Sequence, residues 1–193
     1  MAETPSTMLP LGTALPAFSL KDAVSGRALS SRDVAGRRAT LVMFLCNHCP
    51  FVQHVLPELD RLAADYVPKG VGMVAINSND VAAYPQDAPE HMKALATSRG
   101  WPFPFLLDEG QEIAKAFRAA CTPDFYAFAA DGRLAYRGRL DASRPRSDAP
   151  LTGADLRAAL DALLAGREPA GEQRPSVGCN IKWKPGNAPE YFG

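Results

Sequence analysis

The sequence predicts an α/β domain in which a central mixed sheet is flanked by helices. Residues 41–45 and 71–77 are continuous apolar runs of strand length, the pattern of strands buried on both faces. Between them Val52, Val55, Leu56, Leu59, Leu62 and Ala63 recur at spacings of three and four, the apolar face of a helix over about residues 50–66. A strand, a helix and a second buried strand make a βαβ unit with a right-handed crossover. Later in the chain, residues 125–129 and 134–137 flank Asp131-Gly132, the turn signal of an antiparallel hairpin, so the sheet is mixed.

The remaining elements follow in order. Residues 18–20 and 27–29 flank a polar turn and read as a short hairpin placed before the main fold, with Ser30 or Ser31 capping a brief helical turn. Pro57 falls inside the first helix and is expected to bend it, because an interior proline removes one backbone hydrogen bond. Pro68-Lys69-Gly70 turns into the second strand, and residues 78–87 are loop. Pro89 opens a helix carrying His91, Met92, Leu95 and Ala96, which Gly100 ends. Residues 103–107 form the next strand, followed by a short helix with Ile113, Ala114 and Phe117. Thr152 precedes a last helix to about residue 165, with Leu156, Leu160, Leu163 and Leu164 inward. We expect residues 1–10 to be flexible, 11–165 to be one domain, and 166–193 to be a tail rich in Gly and Pro.

Lys plus Arg and Asp plus Glu number 21 each, and no basic stripe is interleaved with aromatics, which argues against nucleic acid and anionic membrane as partners. Residues 1–17 have neither the charged start nor the apolar core of a signal peptide, and no run of 18 apolar residues occurs. The expectation is a cytoplasmic protein. Thiols are kept reduced there, so four cysteines point to catalysis or sensing rather than to a permanent disulfide framework.

The chain is organised around Cys46-Asn47-His48-Cys49-Pro50, where the first buried strand gives way to the helix. Pro50 suits a first helical turn, where its missing N–H has no partner to lose. A cysteine at a helix N-terminus faces unpaired N–H groups and the positive end of the helix dipole, which lower a thiol pKa from about 8.5 toward neutrality. Cys49 is therefore the expected thiolate. A structural zinc site would need a second cysteine pair, and Cys121 and Cys179 each stand alone. A soft metal ion held by Cys46, His48 and Cys49 is the rival from another class, and a redox sensor working through the aromatic tail is a third reading.

The strand-to-cysteine corner, Leu-Pro-Glu-Leu at 56–59, Gly70-Val71 leading to Ile76-Asn77, Phe105-Leu106-Leu107-Asp108 and Thr122-Pro123 together resemble the thioredoxin-like superfamily. Within it, the chain is most similar to the redoxin branch, the alkyl hydroperoxide reductase and thiol-specific antioxidant (peroxiredoxin-like) family, over roughly residues 10–165. The resemblance implies a thioredoxin-like fold and a thiol-dependent oxidoreductase that needs no cofactor. Its substrates would be protein or small-molecule disulfides or peroxides, and its electrons would come from a cellular thiol reductant. Aligning Phe44 and Pro57 with the corresponding family positions puts Cys49 on the attacking cysteine and Cys46 three residues upstream. Cys46 then resolves the intermediate if the loop lets the two sulfurs meet.

Thr122-Pro123 matches the superfamily's cis-proline loop, which lies against the reactive cysteine. That places Cys121 near the corner as a second resolving candidate. Where peroxiredoxins carry a Thr, a Pro and an Arg around the peroxidatic cysteine, this chain has Cys46, Val42 and the Thr122-Pro123 step. The resemblance therefore tilts toward disulfide exchange and leaves peroxide reduction as the alternative. His48, between the cysteines, is expected to tune them electrostatically rather than to move protons. His54 and His91 are expected at the surface. Ile181, Trp183, Tyr191 and Phe192 make the tail too apolar to hang free, so it docks on the domain or on a second subunit, which leaves a homodimer open. If that docking reaches the corner, Cys179 becomes a C-terminal resolving cysteine.

Overall fold

The computed structural model describes residues 3–192. In chain order the strands are β1 (Glu3–Pro5), β2 (Ser19–Asp22), β3 (Ala28–Ser30), β4 (Ala39–Phe44), β5 (Val71–Asn77), β6 (Phe105–Leu107), β7 (Cys121–Thr122), β8 (Asp124–Ala129), β9 (Leu134–Gly138) and β10 (Val177–Asn180). The helices are α1 (Pro50–Tyr66), α2 (Pro89–Ser98), α3 (Glu112–Ala116) and α4 (Ala154–Leu164). A seven-stranded sheet runs β3-β2-β6-β5-β4-β8-β9, with β4, β5 and β6 parallel and the outer pairs antiparallel. The mixed sheet, the βαβ unit and both hairpins expected from the sequence are present.

Every residue of β4 is buried, and its side chains alternate between two cores. Leu41 and Met43 pack with Leu59 and Leu62 of α1, Met92 of α2 and Leu156 and Leu160 of α4. Val42 and Phe44 face Val74, Ile76, Phe117 and Tyr126 on the other side, where Phe117 meets Phe44 edge to face at 5.3 Å. A run apolar at every position is what such a two-faced strand requires. The span of α1 continues through Pro57.

The termini differ from the sequence expectation. Within residues 1–10, expected to be flexible, Glu3–Pro5 form β1, and the tail contributes β10. These pair with β7 in a second sheet of order β1-β10-β7. Neither strand has an apolar run that announces it. Each exists because the other supplies backbone partners, with Glu3 opposite Cys179 and Pro5 opposite Val177. The tail docks on its own domain: Ile181 and Cys179 are buried, Lys182 N–H donates to Asn79 Oδ1 at 2.9 Å, and Tyr191 Oη donates to the Ala119 carbonyl at 3.2 Å. Among the described residues no helix is long and apolar enough to cross a membrane.

Candidate active site

The end of β4 fixes the site. Phe44 lies opposite Asp124 in the β4–β8 register, so the chain leaving β4 runs beside the Thr122–Pro123 peptide bond, which is cis. Cys46 Sγ lies 3.3 Å from Thr122 Oγ1, and Cys49 Sγ lies 3.3 Å from the Thr122 carbonyl. Cys49 is the N-cap of α1, with φ −74° and ψ 123°, and Pro50 takes the first helical turn. The Val52 amide in the first turn of α1 is among the groups that lower the Cys49 thiol.

Strand β10 brings a further thiol. Cys179 is directly opposite Thr122 and Asn180 opposite Cys121. The Cys46 and Cys179 thiols and the Cys179 amide all favour the thiolate form of Cys49. The Cys46 hydrogen bond is the largest influence holding the Cys49 thiol down, at about 5, against its burial. As a thiol, Cys49 donates a hydrogen bond to the Thr122 carbonyl; as a thiolate it loses that bond and is stabilised by the neighbouring thiols instead. Cys46 moves the other way, raised first by its bond to Cys49, then by burial and by the Asp87 carboxylate. Burial and the Cys49 charge push Cys179 up to about 12, with Lys182 working against them. Of the three sulfurs, only Cys49 is lowered below the ordinary thiol range.

Asp87 holds the loop between the cysteines. Its carboxylate is fully buried and accepts from the Asn47 and His48 amides at 2.8 and 3.1 Å and from Asn79 Nδ2 at 2.8 Å, and it lies 2.6 Å from His48 Nδ1. Burial alone would raise this carboxyl, but the hydrogen bonds from His48, Asn79 and Asn47 hold it below its ordinary range. His48 stacks on Tyr84 with ring centroids 5.3 Å apart. The imidazole is thus clamped between a carboxylate and an aromatic ring, and its nearest role is to fix the loop. Nothing in the sequence near Cys46 announces Asp87, which lies some 40 residues on; only the packing of the loop after β5 delivers it.

The donors that cluster here as a metal site would need are Cys46, His48 and Asp87, with one atom of each within 4.8 Å of the others. This differs from the sequence-derived trio, in which Cys49 stood where Asp87 does. Asp87 is already saturated by four hydrogen-bond partners, and a metal would have to compete with them. Cys121 is buried with its sulfur 3.9 Å from the Pro123 carbonyl, on the face of β7 opposite Thr122. Burial first, then the Asp124 charge, raise its thiol well above the usual range, which makes it a poor nucleophile. His54, expected at the surface, is half-buried, with Nε2 2.9 Å from Ser143 Oγ, and lines a small cleft beside Pro123 with Phe51, Arg139 and Arg144. A roomier cavity, about 580 Å³, lies between Leu11, Arg38, Ala129 and Gln173 and contains no cysteine.

Gly178 is fixed by this geometry. A Cβ there would lie 2.0 Å from the Thr122 carbonyl oxygen, a backbone atom that cannot step aside without parting β10 from β7. Gly178→Ala should therefore cost about 1–3 kcal/mol in thermal or denaturant unfolding. It should also speed alkylation of Cys49, which is fully buried in the intact protein. An Ala variant with unchanged stability and unchanged thiol accessibility would show that the strands yield at no cost.

A mixed sheet of this order, with a cysteine at the N-cap of α1 beside a cis-proline loop, defines a thiol-redox protein of thioredoxin-like fold. The family model described as Redoxin matches residues 10–154, and the chain belongs to that family. A solved structure of an uncharacterised conserved protein from Geobacillus kaustophilus is 56% identical over 96% of this chain and 98% of that one, with a TM-score of 0.94. The thioredoxin domain of a Bacteroides vulgatus thiol-disulfide oxidoreductase shares the fold at a TM-score of 0.56 and 17% identity, covering 67% of this chain and 88% of that one. Among curated proteins, the thiol-disulfide oxidoreductase ResA of Halalkalibacterium halodurans is 25% identical over 52% of each chain. A Mycobacterium tuberculosis protein whose name includes peroxiredoxin is 28% identical over 60% of this chain and 68% of its own. The match spans about half the length of the first of these curated relatives.

Proposed function

We propose that the protein is a thiol-disulfide oxidoreductase with Cys49 as its nucleophile. Family membership supports thiol-based redox chemistry, and one observation carries the finer reading: Cys49 sits at the N-cap of α1 against the cis-proline loop, where its thiol is lowered to about 5, first by Cys46. The thiolate attacks one sulfur of a disulfide, a mixed disulfide forms, and a second thiol of the site resolves it. Substrates on this reading are protein or small-molecule disulfides, and a cellular dithiol returns the oxidised protein to its reduced form in a reducing compartment such as the cytoplasm. Peroxide reduction is less well supported, because Cys46 occupies the place where the family resemblance puts a hydroxyl donor and Thr122-Pro123 the place where it puts an arginine.

The test is the pH dependence of Cys49 alkylation by iodoacetamide, followed by peptide mass spectrometry. The rate should be flat above about pH 6 and fall with a midpoint near 5, far below the ordinary thiol value of about 8.5. A midpoint near that ordinary value would remove the reason for assigning Cys49 as the nucleophile.

A further inference from the structure

Cys49 has no exposed surface, and Cys179, which covers it from β10, is nearly as buried. A disulfide therefore reaches Cys49 only when the packing around it opens. Strand β10 is four residues long, and β7, on which it lies, has only two. Gly178 allows the strand to approach the Thr122 carbonyl, and the register then sets Cys179 opposite Thr122, whose carbonyl lies 3.3 Å from Cys49 Sγ. The strand pairing therefore delivers one particular thiol to the nucleophile.

We propose that Cys179 is the resolving thiol of the site: a disulfide reaches Cys49 as β10 lifts from β7, and the returning strand brings Cys179 onto the mixed disulfide and expels the substrate. This rests on the reading of Cys49 as the nucleophile. Cys49 attacks one sulfur of a disulfide RS–SR, forming Cys49–S–S–R and releasing RS⁻, which takes a proton from solvent. Cys179 gives up its proton and attacks Cys49 Sγ. The Cys49–Cys179 bond forms, the bond to R breaks, and the second RS⁻ leaves with the proton that Cys179 gave up. Two protein thiols are oxidised, one disulfide is reduced to two thiols, and an external dithiol reverses the change by the same exchange.

Two surroundings favour Cys179 over Cys46 in this role. Lys182, whose Nζ donates to the Asn180 carbonyl and side chain at 2.6 and 2.8 Å, places a positive charge near Cys179 and lowers the cost of ionising it. Cys46 has the Asp87 carboxylate as its charged neighbour, which opposes ionisation. Holding the attacking thiol on a strand that re-pairs over the mixed disulfide makes the second step intramolecular, and the same re-pairing displaces the substrate.

The experiment uses the reduced protein and one molecule of dithiobis(nitrobenzoate) per chain as a model disulfide. The wild type should release two thionitrobenzoates per reagent molecule, and peptide mapping should show a Cys49–Cys179 linkage. Cys179→Ser and Cys179→Ala should keep one thionitrobenzoate on Cys49, with the second release slowed about tenfold or more. A Cys46–Cys49 linkage in the wild type, or an unslowed second release in both Cys179 variants, would overturn the proposal. The wild-type map decides it even if a variant fails to fold. Cys49→Ser separates the two levels: an undiminished rapid first release there would sink the nucleophile assignment itself, whereas its loss with a Cys46 linkage in the wild type would leave that assignment standing and reject Cys179 alone.

Discussion

Cys49→Ser should abolish dithiol-dependent reduction of a protein disulfide while leaving the fold in place. The hydroxyl of serine is a far weaker nucleophile than a thiolate, and neither the helix dipole nor the donated hydrogen bonds bring it near ionisation at neutral pH. We expect a loss of about 10³-fold or more in turnover, because no other sulfur of the site is both lowered in pKa and placed at the helix terminus. The substitution is nearly isosteric, and the serine hydroxyl can donate to the Thr122 carbonyl as the thiol does, so unfolding should move little. Turnover that survives in a folded variant would transfer the chemistry to another residue. Retained turnover accompanied by metal binding would revive the Cys46, His48 and Asp87 cluster as the functional centre.

The second large effect is on stability and belongs to Asp124. This first residue of β8 follows the cis-proline, is fully buried, and accepts from the Tyr126 hydroxyl at 2.7 Å and from the Phe125 amide at 3.1 Å. Burial raises its carboxyl to about 7, with the hydrogen bonds from the Tyr126 hydroxyl and the Phe125 amide limiting the rise. The unfolded chain releases this proton near 3.8, so between that value and about 7 the folded protein holds a proton that the unfolded one has lost. The stabilisation is complete below the unfolded pKa and disappears as pH rises through the folded one. Asp124→Asn removes the titration while keeping the shape. Relative to the variant, the wild type should lose on the order of 2–4 kcal/mol between acid and mildly alkaline pH in urea unfolding followed by fluorescence. Parallel stability profiles for the two proteins would show that Asp124 stays ionised in the fold. The same carboxylate, once charged, raises Cys121 further, which keeps that thiol out of the chemistry.

The correspondence between sequence and structure is closest where the physics is local. β4, α1, β5 and the β8–β9 hairpin were legible because continuous apolar runs, a 3.6-residue period and an Asp-Gly turn are written in neighbouring residues. Cys49 at a helix start was legible for the same reason, since strand, cysteine, proline and helix follow one another without a gap. β1 and β10 were not, because Glu3–Pro5 and Val177–Asn180 have no pattern of their own and become strands only by pairing with each other and with β7.

By itself, then, the sequence determined the class of the protein: the mixed sheet, the redoxin family and the cysteine at the helix terminus. Tertiary structure alone decided what surrounds that cysteine. It brought Asp87 from the loop after β5 to hold Asn47 and His48 in place, and it set Cys179 opposite Thr122 so that a thiol from the end of the chain meets Cys49. The physical reason is that hydrogen-bond satisfaction and strand register are properties of segments far apart in the chain. No spacing within either segment encodes the distance between a sulfur at position 49 and one at position 179.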